Sequence, residues 1–149
     1  MERVHPRKVV NVLMSDKQEC FIEIISEVVH RAAGINAKVV VFTPPTCEAD
    51  DLFRTASRQK WNFGFLFLNN IDYGLGNRER RAIANDSIDF VMKMALVFEK
   101  PLFALHGLDE GLWYHVRLQE AGAAAVYRMP FALDDMAQAV KKCSGISDL

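Results

Sequence analysis

The sequence predicts an α/β protein: a three-layer, doubly wound sheet of five parallel strands. Three observations lead there. Short apolar runs alternate five times with stretches of helical periodicity. The runs are apolar throughout rather than at every second residue, as in strands covered on both faces. The connections are mostly short, and alternation with short connections gives right-handed crossovers and parallel pairing.

Residues 8–14 (KVVNVLM) form a β-branched run and read as strand one. Residues 18–33 then repeat apolar side chains at helical spacing. Phe21, Ile25, Val28, Val29 and Ala32 share one face, and Gly34 closes the helix. Residues 37–43 (AKVVVFT) are strand two, broken by Pro44-Pro45. Residues 48–60 are a polar, amphipathic second helix, and 62–68 (NFGFLFL) are strand three. Residues 69–85 are polar, contain Gly74 and Gly76, and read as a long loop with at most a short helical piece. Residues 87–99 are a third helix, and strand four begins at Pro101 (PLFALH). Residues 109–121 are a fourth helix ended by Gly122, and 124–128 are strand five. Pro130 occupies the next turn. The last helix, 133–142, has Asp134 and Asp135 in its first turn and Lys141 and Lys142 in its last, an order that suits the helix dipole.

At about 150 residues per domain, residues 1–149 make one domain. Its core spans about residues 8–143, and 144–149 read as a tail or truncated linker. Half the residues are hydrophobic and 25% are charged, as in an ordinary globular chain. The formal net charge of −1 speaks against strong non-specific binding to nucleic acid or to an anionic membrane. No apolar run approaches the ~20 residues needed to cross a bilayer. The charged N-terminus is not followed by a long apolar segment, so no signal peptide is expected. Cys20, Cys47 and Cys143 are odd in number and widely spaced. They fit neither a disulfide framework nor a zinc site, and free cytoplasmic thiols are the plain reading.

In open parallel sheets, ligands sit beyond the carboxyl ends of the strands. The residues to interrogate are therefore Ser15 and Asp16, Asn69 and Asn70, His106 and Gly107, and Met129 and Pro130. Several site types fail. Strand one is followed by Ser-Asp-Lys-Gln-Glu-Cys, not by GxGxxG or a flavin-type loop rich in Thr, Ser and Gly. The lone Gly74-Leu75-Gly76 falls in the wrong place for a dinucleotide motif. No GxxxxGK[ST], no cobalamin-type DxHxxG and no GxSxG elbow is present. Nothing pairs a nucleophile with a base, so no enzyme is expected, and no cofactor or metal is implied.

The alternation, the acidic residue after strand one, and the closing segment Glu120-Ala121-Gly122-Ala123-Ala124-Ala125-Val126-Tyr127-Arg128-Met129-Pro130-Phe131 together resemble the response-regulator receiver domain, the CheY-like family. That family closes with EAGAxxYLxKPF. The likeness runs from Lys8 to Cys143 and implies a flavodoxin-like strand order of 2-1-3-4-5. It also implies a two-component, phosphorelay type of signalling. Receivers of that family accept a phosphoryl group on an aspartate ending strand three. Two acidic residues after strand one hold Mg²⁺, a Thr or Ser ends strand four, and a Lys precedes the proline after strand five.

This sequence departs at nearly every one of those places. The acceptor position falls on Asn69, and a slip of one residue lands on Asn70, also an amide. The acidic pair becomes Ser15 and Asp16, the hydroxyl becomes His106, and the lysine before Pro130 becomes Met129. One carboxylate with neutral oxygens is a poor Mg²⁺ site. The expectation is a degenerate pseudo-receiver that acts through protein contacts without aspartyl phosphorylation. The alternative is a small-molecule or ion-binding module that reuses the remodelled pocket.

Lesser readings attach to single residues. Asp16 serves first as a helix cap. His106 fills its site with local hydrogen bonds ahead of a pH-sensing or phospho-accepting role. Asp72 is a remote substitute acceptor. Arg78, Arg80 and Arg81 are a solvated loop face before they are an anion site. Trp113, Tyr114 and Tyr127 are a candidate partner surface. They lie in the helix 4–strand 5–helix 5 region, through which the family contacts signalling proteins or forms homodimers. Periodicity leaves Trp113 and Tyr114 open between that surface and the core.

Overall fold

The computed structural model describes residues 8–34, 36–74 and 80–144. Among the described residues, five strands and five helices alternate. They are β1 (Val9–Met14), α1 (Glu19–Ala33), β2 (Lys38–Phe42), α2 (Ala49–Ala56), β3 (Phe63–Phe67), α3 (Arg80–Phe98), β4 (Leu102–His106), α4 (Leu112–Ala121), β5 (Ala125–Arg128) and α5 (Leu133–Ser144). A single 3-10 turn, Leu68–Asn70, follows β3. The sheet order is β2-β1-β3-β4-β5 and every pairing is parallel. The register sets Met14 beside Phe65, Phe67 beside Leu105, and His106 beside Arg128.

Period-two alternation in the strands divides the core between the two faces of the sheet. Val10, Val12, Met14, Phe63, Phe65, Phe67, Phe103 and Leu105 meet α1 and α5 through Ile25, Val28, Val29, Met136 and Val140. Leu13, Leu66, Leu102 and Ala104 meet α2, α3 and α4 through Leu52, Val91, Met94 and Leu118. β3 and β4 are buried along their whole length, which explains why they are apolar without alternation.

Three boundaries differ from the sequence expectation by three residues or more. α3 begins at Arg80, seven residues before the predicted start at 87, so residues 80–85 at the end of the predicted loop are helix. Asn85, Asp86 and Ser87 are weak helix formers and masked the signal. Packing overrides them, because Ala84, Ile88, Val91, Met94 and Phe98 make a buried stripe. α2 stops at Ala56, and the buried Trp61 donates its indole N–H to the Ala56 carbonyl at 3.0 Å. α4 starts at Leu112 rather than 109, because Gly111 has φ +88°, outside helical geometry.

Candidate functional site

The carboxyl ends of β1, β3, β4 and β5 converge on one edge of the sheet. Ser15 follows β1 and is 3% exposed. Its N–H donates to Phe65 O at 3.1 Å, and its Oγ accepts the Phe67 N–H at 2.7 Å. Ser15 therefore extends the β1–β3 ladder by one side chain and is not turned into the crevice.

Asp16 is 7% exposed and fully engaged. Oδ1 accepts the Gln18 backbone N–H at 2.8 Å, while Oδ2 accepts Asn70 Nδ2 at 2.5 Å and Gln18 Nε2 at 3.4 Å. The expectation that Asp16 caps α1 needs correction. The residue at the N-cap is Gln18, and Asp16 turns the chain just ahead of it.

β3 ends one residue earlier than predicted, so Phe67 and not Leu68 stands at its tip. Asn69 lies two residues beyond, in the 3-10 turn, where its Oδ1 accepts the Gly107 N–H at 2.6 Å. That bond ties the turn to the end of β4. Asn70 is the partner of Asp16. Asp72 is exposed; its Oδ1 accepts the Gly74 N–H, and its backbone bridges to Cys47 and Ala49 in the β2–α2 loop. Gly74 closes this turn; Gly76 and Arg78 lie outside the described residues, as do the side chains of Arg80 and Arg81.

His106 is 1% exposed and turns toward α4. Its Nδ1 accepts the Leu108 N–H at 3.1 Å, and its Nε2 faces His115 Nε2 at 2.8 Å. The ring meets Tyr114 and His115 edge-on, with centroids at 4.7 and 4.8 Å. Burial first, then the nearby His115 and Arg128, lowers its pKa to about 4, so His106 is neutral at pH 7. His115, half-buried, is lowered by the same burial and by Arg128.

Met129 binds His106 through the backbone, Met129 N–H to His106 O at 2.7 Å, and its bond to Pro130 is cis. Its side chain lines an apolar cavity of about 520 Å³ with Phe21, Ile24, Phe67, Phe131 and Leu133. The rings of Phe21 and Phe67 stack at 4.5 Å and 13°.

The structure thus joins Asp16 to Asn70 and Asn69 to the β4 end, and it sets Met129 among aromatics. It sends His106 to α4, away from the others. This donor set does not fit Mg²⁺. There is one carboxylate, its oxygens are taken by N–H donors, and the described residues hold no group of three or more His, Cys, Asp or Glu side chains suited to a metal.

The candidate partner surface also changes. Tyr114 is 0% exposed, so it belongs to the core. Its hydroxyl pairs with Ser87 Oγ at 2.5 Å, and burial pushes its pKa up to about 12. Trp113 is half-buried against the same core. Tyr127 is half-buried, donating to Asp135 O at 3.4 Å. The apolar side chains that α4 does show to solvent are Leu112 and Val116. Two features escaped the sequence reading. His115 gives no local signal of its partnership with His106. The Phe21–Phe67 stack needed the true end of β3, which the unbroken run NFGFLFL hides.

Solved structures show the same architecture. A two-component response regulator from Clostridium difficile matches 92% of this chain and 95% of its own, at 14% identity and TM-score 0.60. A response regulator from Burkholderia pseudomallei, solved with a phosphorylated aspartic acid and a calcium ion, matches 93% of this chain and 69% of its own, at 14% identity and TM-score 0.55. A putative pilus assembly-related protein from the same organism matches 97% and 96%, at 12% identity and TM-score 0.62. No family model matches the sequence, and no curated protein matches it. At these identities the likeness is one of fold: this chain folds as response-regulator receiver domains do. Among the described residues, no helix is long and apolar enough to cross a membrane.

Proposed function

We propose that this chain is a receiver-fold signalling module that works through protein contacts and not through aspartyl phosphorylation. One observation carries the reading. The acceptor position beyond β3 is the amide Asn69, whose Oδ1 is engaged by the Gly107 N–H, and the tip of β3 itself is Phe67, stacked on Phe21. Neighbouring positions agree. Asp16 already accepts three N–H donors, His106 faces α4, and Met129 brings no charge to pair with a phosphoryl oxygen. A carboxylate nucleophile, a metal and a cation are the minimum for such transfer. The partner is a signalling protein, and α4 with its exposed Leu112 and Val116 is the face offered to it.

The test is incubation with Mg²⁺ and acetyl phosphate, followed by intact mass. The expected spectrum is that of the unmodified chain. A stoichiometric gain of one phosphoryl group, abolished by Asp16→Asn or Asp72→Asn, overturns the reading.

A second reading has its own observation. The cavity bounded by Phe21, Phe67 and Met129 is of the size and apolarity that small-molecule sites have, about 300–1,000 Å³. An apolar ligand there would raise the melting temperature by mass action, and Phe67→Ala would remove that response.

A further inference from the structure

We propose that His106 and His115 form an acid-opened latch between the end of β4 and α4. The inference is separate from the signalling reading and stands whether or not the chain accepts a phosphoryl group. The geometry fixes where every proton lies. The Leu108 N–H can only donate, so His106 Nδ1 must accept and carries no proton. A neutral imidazole has one N–H, which places it on His106 Nε2. That N–H points at His115 Nε2, 2.8 Å away, which therefore accepts, leaving the His115 proton on Nδ1. Donation runs one way, from Leu108 through His106 to His115. The reverse order would set a protonated Nδ1 against the Leu108 N–H.

Such a chain has no place for another proton. A proton added to His115 Nε2 sets two N–H groups face to face. Shifting the His106 proton to Nδ1 relieves that clash and breaks the bond from Leu108. A proton added to His106 Nδ1 breaks the same bond directly. Each route undoes one of the two links, and both links hold the β4–α4 loop and the first turn of α4.

The surroundings offer the cation little. Arg128 on β5 adds positive charge and is met by Asp109 of the loop at 3.5 Å. Glu110 in the same loop and Tyr114 on α4 are the other titratable groups nearby, and the Tyr114 hydroxyl is engaged with Ser87. Asn69, from the 3-10 turn, brings no charge and binds Gly107. Opening frees the loop and the N-terminal turn of α4, which carries the exposed Leu112.

The test begins with the native chain. Long-range ¹H–¹⁵N spectra of the histidine rings, recorded from pH 7.5 to 4, should show His106 with its proton on Nε2 and His115 with its proton on Nδ1. As the pair takes up a proton, the Leu108 amide should lose protection from exchange by about tenfold or more, the effect of one pK unit. The Met129 and Ala124 amides, bonded within the sheet to His106 O and Leu102 O, should keep theirs. In His115→Gln the amide oxygen still accepts from His106 and cannot titrate, so the opening should move to lower pH. The opposite tautomers, a Leu108 amide indifferent to pH, or loss of all three protections together would each overturn the latch.

Discussion

Phe67 stacks on Phe21 at 4.5 Å with the rings 13° from parallel, and this contact closes the carboxyl end of β3. Phe67 is 1% exposed, so truncation leaves a cavity beside the one already present. Phe67→Ala should cost about 3–5 kcal/mol of unfolding free energy. Phe67→Asp should cost more, since it buries a charge among Phe21 and Met129 with no cation to meet it. Urea denaturation checks both. Neither variant should take up a phosphoryl group from acetyl phosphate, because the charge that pairs with it is still missing.

Asp16 gives a metal test. An ion binding the native state at 100 times its dissociation constant adds ~2.7 kcal/mol of stability. Here the carboxylate oxygens already serve Gln18 and Asn70, so millimolar Mg²⁺ should leave the melting temperature where chloride of matched ionic strength leaves it. Asp16→Asn should lose ~1–3 kcal/mol, because an amide has one oxygen where two are used, and its NH₂ would face a donor. A clear Mg²⁺-dependent rise in melting temperature, absent from Asp16→Asn, contradicts the site described.

The fold was readable in the sequence because both periods are clean: five apolar runs, and stripes such as Ile25, Val28, Val29 and Ala32 on α1. The first turns of α3 were hidden because Ser87 looks like a helix breaker until its hydroxyl is seen bonding Ala84 O and Tyr114. The placement of Ser15, His106 and Met129 just beyond or at the strand ends was legible position by position. The side-chain directions were not. His106 could be placed at the end of β4 from its neighbours, but its turn toward α4 depends on His115, nine residues on and across a loop. Phe67 was missed because Leu68 and Asn69 continue the chain in a 3-10 turn that an apolar run does not announce.

Tyr114 and Ser87 make a buried polar link between α3 and α4, both at 0% exposure. Tyr114→Phe keeps the ring packing against His106 and removes one hydrogen bond, while Ser87 Oγ keeps its bond to Ala84 O at 2.7 Å. The cost should be about 1 kcal/mol. Ser87→Ala strands the tyrosine hydroxyl instead and should cost ~1–3 kcal/mol. The double variant, Tyr114→Phe with Ser87→Ala, should cost less than the sum, which a double-mutant cycle in urea measures.

The sign of the pH dependence follows from His106. Its folded pKa is about 4, against ~6.5 for a free histidine. Between those two values the unfolded chain holds a proton that the folded chain does not. Stability from this group is therefore fully present above pH ~6.5, declines as pH falls, and levels off below about 4. At 1.36 kcal/mol per unit the loss is up to ~3 kcal/mol. His115, lowered too, acts in the same direction. Other groups also titrate on the way to pH 4. Asp51, held low by Thr46 and Arg54, likewise contributes stability that acid removes. The comparison that isolates the histidine is therefore between the native chain and His106→Gln, each unfolded in urea at pH 7.5, 5.5 and 4.5. The native chain should lose more stability across that range than the variant does. Equal slopes would mean that His106 titrates alike in both states and would overturn the lowering that its burial against Tyr114 and His115 predicts.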